Sequence, residues 1–422
     1  MLKNQPKAGY KLTEIGEIPE EWEVVRLGEV ADRFISGGTP STSNPEYWDG
    51  NIHWMRSASI TKKTVDASEN FITEKGLNNS ATNIVPKGNI LFATRVSIGK
   101  VAMNTIDIAI SQDLTGVEVN KKKAISEYVY WALSNSNNKT KSLVQGSTIR
   151  GMLRKDLETL CFLLPSLPEQ KKIAEILSTV DETIQKTDEI IEKTQELKKG
   201  LMQKLLTKGI GHTRFKQTEI GEIPEEWEVV RLGEVLNNCE YGLSAKLYSR
   251  GKYPIFRMNN IENGYMVENN MKFIELDDKT FKQFKLEKGD ILFNRTNSFD
   301  LVGKVGIFLL ERDFTFASYL IRLRANKLRA DPFFINSYLN SNRIKFKLKN
   351  MATRGVSQSN INATNLKSLT FLCPPLPEQK KIAEILSGVD EKIEMERKRK
   401  EKSEELKKGL MQSLLTGKVR VK

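Results

Sequence analysis

The chain has 422 residues, a net charge of +13 and an apolar fraction of 39%, which includes eighteen Phe and five Trp. Single hydrophobic cores stop growing at about 250 to 300 residues, so this length predicts two or more domains. The apolar content argues against a wholly disordered chain, and the lack of a signal peptide or of a membrane-spanning apolar run predicts a cytoplasmic protein with no membrane partner.

In chain order, the first half begins with a segment that later recurs and continues with a mixed segment. TEIGEIPEEWEVVRLGEV at 13–30 contains a turn signal at IPEEW and a strand-like alternation in WEVVRLGEV. Short strand-like runs follow, such as NILFAT and KVAMN, and SEYVYWALSNS has helical character. This mixture predicts an α+β fold with mainly antiparallel sheets.

A long helix is predicted next. Apolar residues recur at three- and four-residue spacing from Pro168 to Thr207. A Pro suits the first helical turn, and Gly209 lies just past the expected end. The helix would be roughly 60 Å long at 1.5 Å per residue.

The second half repeats the first around a different middle. The segment 13–30 recurs letter for letter at 218–235, LPEQKKIAEILS at 167–178 recurs at 376–387, and ELKKGLMQ at 196–203 recurs at 405–412. In the diverged middles, KGNILFATR at 87–95 still corresponds to KGDILFNRT at 288–296. The repeated segments would hold the two diverged middles in equivalent positions. A protein that reads an asymmetric target needs this combination of equivalent positions and different binding surfaces.

The second long helix, predicted at 376–416, carries the same apolar stripe but lacks apolar residues around RKRKEKSEE at 397–405. A lone helix cannot bury so narrow a stripe, so we expect the two helices to pair as an antiparallel coiled coil. The alternative is that each stripe packs on its own globular domain.

Basic charge is concentrated in the two middles. Residues 31–160 contain 16 basic and 12 acidic residues, residues 236–373 contain 22 and 12, and residues 161–207 contain 7 and 8. Double-stranded DNA fits this pattern as a partner, because neutralising its phosphates releases counterions. Charge alone leaves open a basic surface that serves only solubility.

Four stretches carry a resemblance to a known family. They are SGGTPSTSNPEYWDGNIHWMRSASI at 36–60, YGLSAKLYSRGKYPIFRMNNIENG at 241–264, GDILFNRTNSFDLVGKVGIF at 289–308 and PLPEQKKIAEIL at 375–386. Over nearly its whole length the chain resembles the specificity (S) subunits of type I restriction-modification systems. The resemblance implies a target-recognition domain at 1–160, a central helix at 167–207, a second target-recognition domain at 208–373 and a C-terminal helix at 376–416, in an internal pseudo-twofold repeat.

The resemblance also implies partners and a division of labour. Each target-recognition domain would read one half of a split, asymmetric site, and the helices would set the gap and dock two methyltransferase (M) subunits, joined by restriction (R) subunits. S-adenosylmethionine, ATP and magnesium would belong to those partners, with no cofactor in this chain.

Base reading requires Arg, Lys, Asn, Gln, Ser or Thr on a rigid face, and phosphate contacts use the same residue types. In the first middle we predict DNA contacts from Arg56, Ser57, Ser59, Lys62, Thr94, Arg95, Ser97, Lys100, Arg150 and Arg154. In the second we predict Arg257, Asn259, Asn260, Arg295, Thr296, Asn297, Ser298, Lys304, Arg354, Gln358, Ser359 and Asn360. Arg95 and Arg295 rank first, because each follows a buried-looking strand.

Motifs for catalysis are missing from the sequence. The GK pairs at Gly99, Gly303 and Gly417 lack the earlier Gly of a phosphate loop, and the two His and three Cys have no metal-ligand spacing. Asp156 and Glu169 imitate the carboxylate spacing of a nuclease, but Glu169 fits better as an acidic residue in a first helical turn. We therefore expect a non-catalytic subunit. The alternatives are a coiled-coil protein-binding adaptor without sequence-specific DNA recognition, and a self-contained nuclease.

Overall fold

The computed structural model describes residues 6–136, 151–299, 301–354 and 359–421, and the chain divides into two units. Unit 1 comprises residues 1–187 and 399–422, and unit 2 comprises residues 188–398. Across the described residues, no helix combines the length and apolar character that crossing a bilayer requires.

Unit 1 contains two larger sheets and two strand pairs. The five-stranded sheet has the order β4 (Ala31–Ser36), β12 (Leu114–Val119), β9 (Ile90–Ala93), β10 (Val101–Asn104) and β6 (Thr64–Val65). The four-stranded sheet has the order β7 (Asn70–Ile72), β5 (Trp48–Met55), β11 (Ile108–Ile110) and β8 (Asn83–Val85). The pairs are β1 (Tyr10–Thr13) with β2 (Gly16–Pro19), and β3 (Glu23–Arg26) with β13 (Cys161–Leu164).

Unit 2 repeats this plan with changes. Its six-stranded sheet has the order β17 (Leu236–Tyr241), β26 (Leu320–Ala325), β22 (Ile291–Asn294), β24 (Val305–Ile307), β20 (Tyr265–Met266) and β19 (Ile261–Glu262). Two three-stranded sheets have the orders β21 (Lys272–Ile274), β18 (Tyr253–Phe256), β25 (Thr315–Phe316), and β23 (Thr296–Asn297), β28 (Ser359–Asn360), β27 (Thr353–Arg354). The pairs are β14 (Phe215–Thr218) with β15 (Gly221–Pro224), and β16 (Glu228–Arg231) with β29 (Thr370–Cys373).

Short helices complete each unit. Unit 1 has α1 (Leu27–Val30), α2 (Glu74–Asn78), α3 (Ser126–Asn135), α4 (Arg154–Glu158) and 3-10 turns at Pro45–Tyr47 and Ser57–Ser59. Unit 2 has α6 (Asp278–Phe284), α7 (Pro332–Asn340), α8 (Asn342–Met351), α9 (Ala363–Lys367) and 3-10 turns at Leu232–Val235 and Met258–Asn260. Most strand pairs are antiparallel, and β6–β10, β5–β11, β18–β25 and β20–β24 are parallel. The predicted α+β class with mainly antiparallel sheets is confirmed.

The long helices are α5 (Leu167–Lys208) and α10 (Leu376–Leu414). In unit 1, Leu177 of α5 shares a core with Leu414 of α10, and in unit 2, Leu205 of α5 shares a core with Ile382 of α10. The start of each helix therefore lies with the end of the other, which is an antiparallel pairing. The predicted pairing of the helices is confirmed.

The helices also pack on the globular domains, as the alternative prediction proposed. The core that contains Leu177 and Leu414 includes Trp22 of unit 1, and the core that contains Leu205 and Ile382 includes Trp227 of unit 2. The helix ends thus pack on each other and on the adjacent sheet-rich domain. Between Ile393 and Leu414, a stretch that the structure describes in full, no α10 side chain is buried. The predicted break in the apolar seam around 397–405 is present.

A duplicated carboxylate holds each helix start to its domain. Glu169 accepts hydrogen bonds from the Trp22 indole N–H at 3.0 Å and from the Arg420 guanidinium at 2.7 and 2.9 Å. Burial acts to raise the pKa of Glu169, but the bonds from Arg420 and Trp22 outweigh it and lower the pKa. This carboxylate is therefore engaged in holding the fold.

The equivalent carboxylate in unit 2 is Glu378. It accepts a hydrogen bond from the Trp227 indole N–H at 2.9 Å and lies 2.8 Å from Nε2 of His212. Both Trp side chains are fully buried, as expected for members of the repeated frame. In both units a Glu at the start of the long helix therefore binds a buried Trp and a second basic side chain, which is Arg420 in unit 1 and His212 in unit 2.

Candidate nucleic-acid interface

In both units a loop leaves the buried central strand and closes through the same backbone bonds. We call the segment after the central strand the exit loop of each unit, with residues 94–99 after β9 in unit 1 and residues 295–299 and 301–303 after β22 in unit 2. The N–H of Gly99 donates to the Ala93 carbonyl at 3.0 Å, and the N–H of Gly303 donates to the Asn294 carbonyl at 2.9 Å. Both glycines have positive φ, 85° and 83°, which is the conformation that favours Gly. Exit loops of different length and sequence therefore begin and end in the same way in the two units.

In unit 1 a buried carboxylate links the exit loop to a neighbouring turn. Asp113 accepts the Ser57 backbone N–H at 3.0 Å and also contacts the hydroxyls of Ser57 and Ser111. The Asp113 carbonyl accepts the N–H of Thr94 at 2.9 Å. Ser57 and Thr94 are buried, so they hold the turn and the loop together, and neither faces solvent.

The other described unit 1 predictions surround this linkage. Arg56, Ser59, Lys62, Arg95 and Lys100 are exposed, and Ser97 is half-buried. Arg154, on the short helix α4, forms an ion pair with Glu158 at 2.8 Å, and its guanidinium lies 5.5 Å from the centre of the Phe34 ring. The exposed face therefore carries several cations beside a fixed loop.

In unit 2 the exit loop begins with Arg295, which is held on two sides. Its guanidinium lies 4.6 Å from the centre of the Tyr241 ring, and its Nη2 donates to the Asn360 side-chain oxygen at 3.2 Å. The carbonyl of Arg295 accepts the Ile361 N–H at 2.9 Å. Tyr241 is itself fixed, because its hydroxyl accepts the Ala363 N–H at 2.9 Å. This arrangement restrains an arginine at the edge of the sheet.

The small sheet β23–β28–β27 brings predicted residues together. Thr296 pairs with Asn360, and Asn297 pairs with Ser359. Thr296, Asn297 and Asn360 are half-buried, Ser298 and Lys304 are exposed, and Ser359 is buried. Most of the predictions around 295–304 and 359–360 therefore lie on one small surface.

The turn Met258–Asn260 is the unit 2 counterpart of Ser57–Ser59. Asn260 is buried and accepts the Arg257 N–H at 2.9 Å, while its amide donates to the carbonyls of Val267 and Asn269. Arg257 donates to the Asn270 carbonyl at 2.6 Å, and Asn259 is exposed. Asn260 therefore has a holding role like that of Ser57.

Three predictions cannot be placed: Arg150 and Gln358 lie outside the described residues, as does the side chain of Arg354. Arg95 and Arg295, which the sequence analysis ranks first, do not occupy equivalent positions, because strand register aligns Arg295 with Thr94. Ala93 pairs with Leu114 in unit 1, and Asn294 pairs with Leu320 in unit 2, so the next residues are Thr94 and Arg295. Arg95 stands one position farther along its loop.

Sequence reasoning missed Asp113 and Tyr241. Asp is not among the residue types sought for base or phosphate contacts, and Tyr241 is separated by more than fifty residues from the arginine that it supports.

This arrangement suits direct reading of DNA. A restrained Arg can donate two hydrogen bonds to guanine, and Asn can form a similar pair with adenine. Within the described ranges, no group of three His, Cys, Asp or Glu side chains is placed to hold a metal ion.

Comparison with known proteins identifies the family. Residues 19–196 and 224–405 each match the family described as the type I restriction modification DNA specificity domain. The chain is 31% identical to the type I restriction enzyme MjaVIII specificity subunit of Methanocaldococcus jannaschii, over 96% of this chain and 94% of that protein. It is 24% identical to the EcoKI specificity subunit of Escherichia coli, over 89% and 83% of the two chains.

The fold comparison agrees. The crystal structure of the S subunit of a type I restriction-modification system from M. genitalium matches with a TM-score of 0.63 and 17% identity, covering 96% of this chain and 98% of that one. The chain therefore belongs to the type I restriction-modification specificity family, and its role is that of a DNA specificity subunit.

Proposed function

We propose that each unit reads one half of a split, asymmetric site in double-stranded DNA. The observation that carries this proposal is that the two units differ in the residue directly after the central strand. This residue is the buried Thr94 in unit 1 and the restrained Arg295 in unit 2, and both exit loops are closed by equivalent backbone hydrogen bonds. A shared frame with different side chains gives two different half-sites.

The DNA-contacting residues of the proposal are those with solvent access. The unit 1 contacts are Arg56, Ser59, Lys62, Arg95, Ser97, Lys100 and Arg154, and the unit 2 contacts are Arg257, Asn259, Arg295, Thr296, Asn297, Ser298, Lys304 and Asn360. Buried Ser57, Thr94, Asn260 and Ser359 position their loops instead. A fully buried hydroxyl or amide already bonded to protein would have to leave its partners to reach a base.

The long helices set the distance between half-sites and dock two methyltransferase subunits, which are joined by restriction subunits. The evidence for two equivalent docking sites is a pair of exposed apolar side chains at matching positions in the two repeats. Leu197 of α5 and Leu406 of α10 occupy the same repeat position, and they are 56% and 55% exposed. A large apolar side chain exposed at the same place in both repeats is suited to contact with two copies of one partner.

In this proposal the chain contributes no catalytic group and acts in the cytoplasm. The partner subunits hold S-adenosylmethionine, ATP and magnesium. The absence of a phosphate-loop motif from the sequence supports this division of labour.

The test is to map methylated adenines in a genome that carries this subunit with its methyltransferase partner. The proposal predicts two short motifs at one fixed separation. Methylation at a single continuous motif would contradict it. Duplex binding that does not weaken with added salt would favour the protein-binding adaptor, since phosphate-driven affinity falls steeply with salt.

A further inference from the structure

The exit loop of unit 1 carries an exposed apolar side chain among polar ones. Val96 is 83% exposed and lies between the exposed Arg95 and the half-buried Ser97, which are both predicted DNA contacts. Single apolar residues are common on protein surfaces, so exposure by itself assigns no role to Val96. Its backbone conformation and its surroundings distinguish it from an ordinary surface residue.

Val96 has a backbone conformation that valine rarely adopts. Its φ is 45°, in the left-handed region that favours Gly, and a β-branched side chain is disfavoured there. The surrounding structure has to offset the free energy that this conformation costs, and strain of this kind is concentrated at functional sites. The same loop has a Gly at its other left-handed position, Gly99. The fold therefore holds an apolar side chain in solvent at a position where Gly would be less strained.

Backbone hydrogen bonds on both sides of Val96 restrain the loop. Before it, the N–H of Thr94 donates to the Asp113 carbonyl at 2.9 Å. After it, the N–H of Lys100 donates to the Ser97 carbonyl at 3.0 Å. A side chain on a restrained segment can bind with little further loss of conformational entropy. Val96 is therefore well placed for a specific contact.

The charges around Val96 indicate what it would meet. The exposed Arg95 precedes it in the chain, and Asp113 ties this loop to the turn that follows the exposed Arg56. These cations favour a DNA duplex on this face. Base edges in the major groove present hydrogen-bond donors and acceptors, and their apolar feature is the 5-methyl group of thymine. Since the valine side chain has no hydrogen-bonding group, that methyl group is its matching contact on a base edge.

We propose that Val96 is a specificity residue of unit 1, which recognises one thymine through its 5-methyl group in the major groove. The inference rests on the proposed function and adds an apolar contact to the polar residues with which unit 1 reads its half-site. The third residue after the central strand is Val96 in unit 1 and Asn297 in unit 2. The two units would therefore use different chemistry at this position as well.

The test measures binding of the full chain, together with its methyltransferase partner, to duplexes that contain the mapped site. Each thymine in the two half-sites is replaced in turn by deoxyuridine, which pairs in the same way and lacks only the 5-methyl group. For the wild-type chain, replacement of one thymine in one half-site should weaken binding about fourfold through Val96, the scale for burying one methyl group.

Two variants separate the side chain from the backbone. Val96→Gly removes the apolar group, and Val96→Asn keeps a side chain without methyl groups; both residues suit a positive φ. Both variants should bind the thymine and deoxyuridine duplexes equally at that position, and thermal unfolding checks that each is folded. Val419→Gly truncates an exposed valine outside the exit loop and should retain the fourfold difference.

A wild-type chain that binds the thymine and deoxyuridine duplexes equally at every position would overturn the inference. Folded Val96 variants that retain the full difference would overturn it too. Neither result affects the proposed function, which depends on discrimination between the mapped site and unrelated sequences. A wild-type chain that does not discriminate between those sequences would reject the proposed function and this inference with it.

Discussion

The two units build the same sheet around different interiors. In unit 1 the central sheet carries Ile35 and Gly116, and a Cβ on Gly116 would lie 2.4 Å from a methyl group of Val85 in β8. In unit 2 the corresponding residues are Glu240 and Arg322. The Arg322 guanidinium donates to the carbonyls of Lys285 and Gln283 at 2.8 and 3.1 Å. Arg322 thus bonds to the segment before β22, whereas Gly116 packs against Val85 in the segment before β9.

This difference shows that the repeated sheet accepts either apolar residues or an ion pair at the same interior positions. The buried charge is destabilised, because burial and the charge of Arg324 lower the pKa of Arg322 to about 10. The frame therefore constrains backbone register, while the interior and the exposed face are free to diverge. Such freedom is what a pair of readers with different targets requires.

The largest expected effect comes from breaking the ionic interior of unit 2. Arg322→Met would leave Glu240 without its cation, while Asp290 would keep its ion pair with Arg324, and we expect the free energy of unfolding of unit 2 to fall by about 3 kcal/mol. Urea unfolding followed by hydrogen exchange in β22 and β26 measures this. Arg312→Met, which removes an exposed pair with Glu268, is the control and should cost less than about 1 kcal/mol. Equal losses would show that Arg322 does not support the interior.

The sequence predicted the elements whose signals are local. Three- and four-residue spacing predicted both long helices, and the runs ILFA and ILFN predicted the central strands, because the period of a pattern is readable within one element. It could not predict that Asp113 binds Ser57 or that Tyr241 supports Arg295. Those contacts join residues more than fifty positions apart, and only the folded sheet brings them together.

A second effect concerns the duplicated carboxylate, which Arg420 binds in unit 1. Arg420→Gln should reduce the free energy of unfolding of unit 1 by about 2 kcal/mol at neutral pH, the scale of a hydrogen bond to a charged group.

The sign of the pH dependence follows from the lowered pKa of Glu169. A carboxyl whose pKa is depressed by folding stabilises the fold above its unfolded pKa, and this stabilisation is lost as pH falls through the folded pKa. Without Arg420, burial acts on Glu169 with less opposition, so the loss should begin at higher pH. Hydrogen exchange in β3 and β13 during acid titration measures it, and His212→Gln in unit 2 is the control. An unchanged acid midpoint in Arg420→Gln would contradict this role.

A third prediction tests whether Tyr241 supports Arg295, the residue that occupies the position of Thr94 in unit 2. Tyr241→Leu removes the ring beneath the Arg295 guanidinium, and we expect discrimination in one half-site to fall by about 1 kcal/mol, or roughly fivefold. Tyr241→Phe keeps the ring and should retain most of the discrimination. Competition binding with duplexes varied at each position measures both. If Tyr241→Leu reduced discrimination in both half-sites, or in neither, Tyr241 would have no specific role in supporting Arg295.

The smallest effect tests how alike the two helix pairings are. Lys198 pairs with Asp390 in unit 2, and the repeat-equivalent Lys407 pairs with Asp181 in unit 1. Double-mutant cycles with Lys→Met and Asp→Asn should give coupling energies of about 1 kcal/mol or less, similar in the two units. Coupling in one unit alone would mean that the helix ends are not equivalent.

The central claim is that the two units read their half-sites independently on a common frame. Replacing residues 236–373 with the corresponding segment of a relative of different specificity, and mapping methylated adenines, tests it most directly. We expect one half-site to change while the other half-site and the separation stay the same. A change in both half-sites, or an unchanged site, would contradict the account.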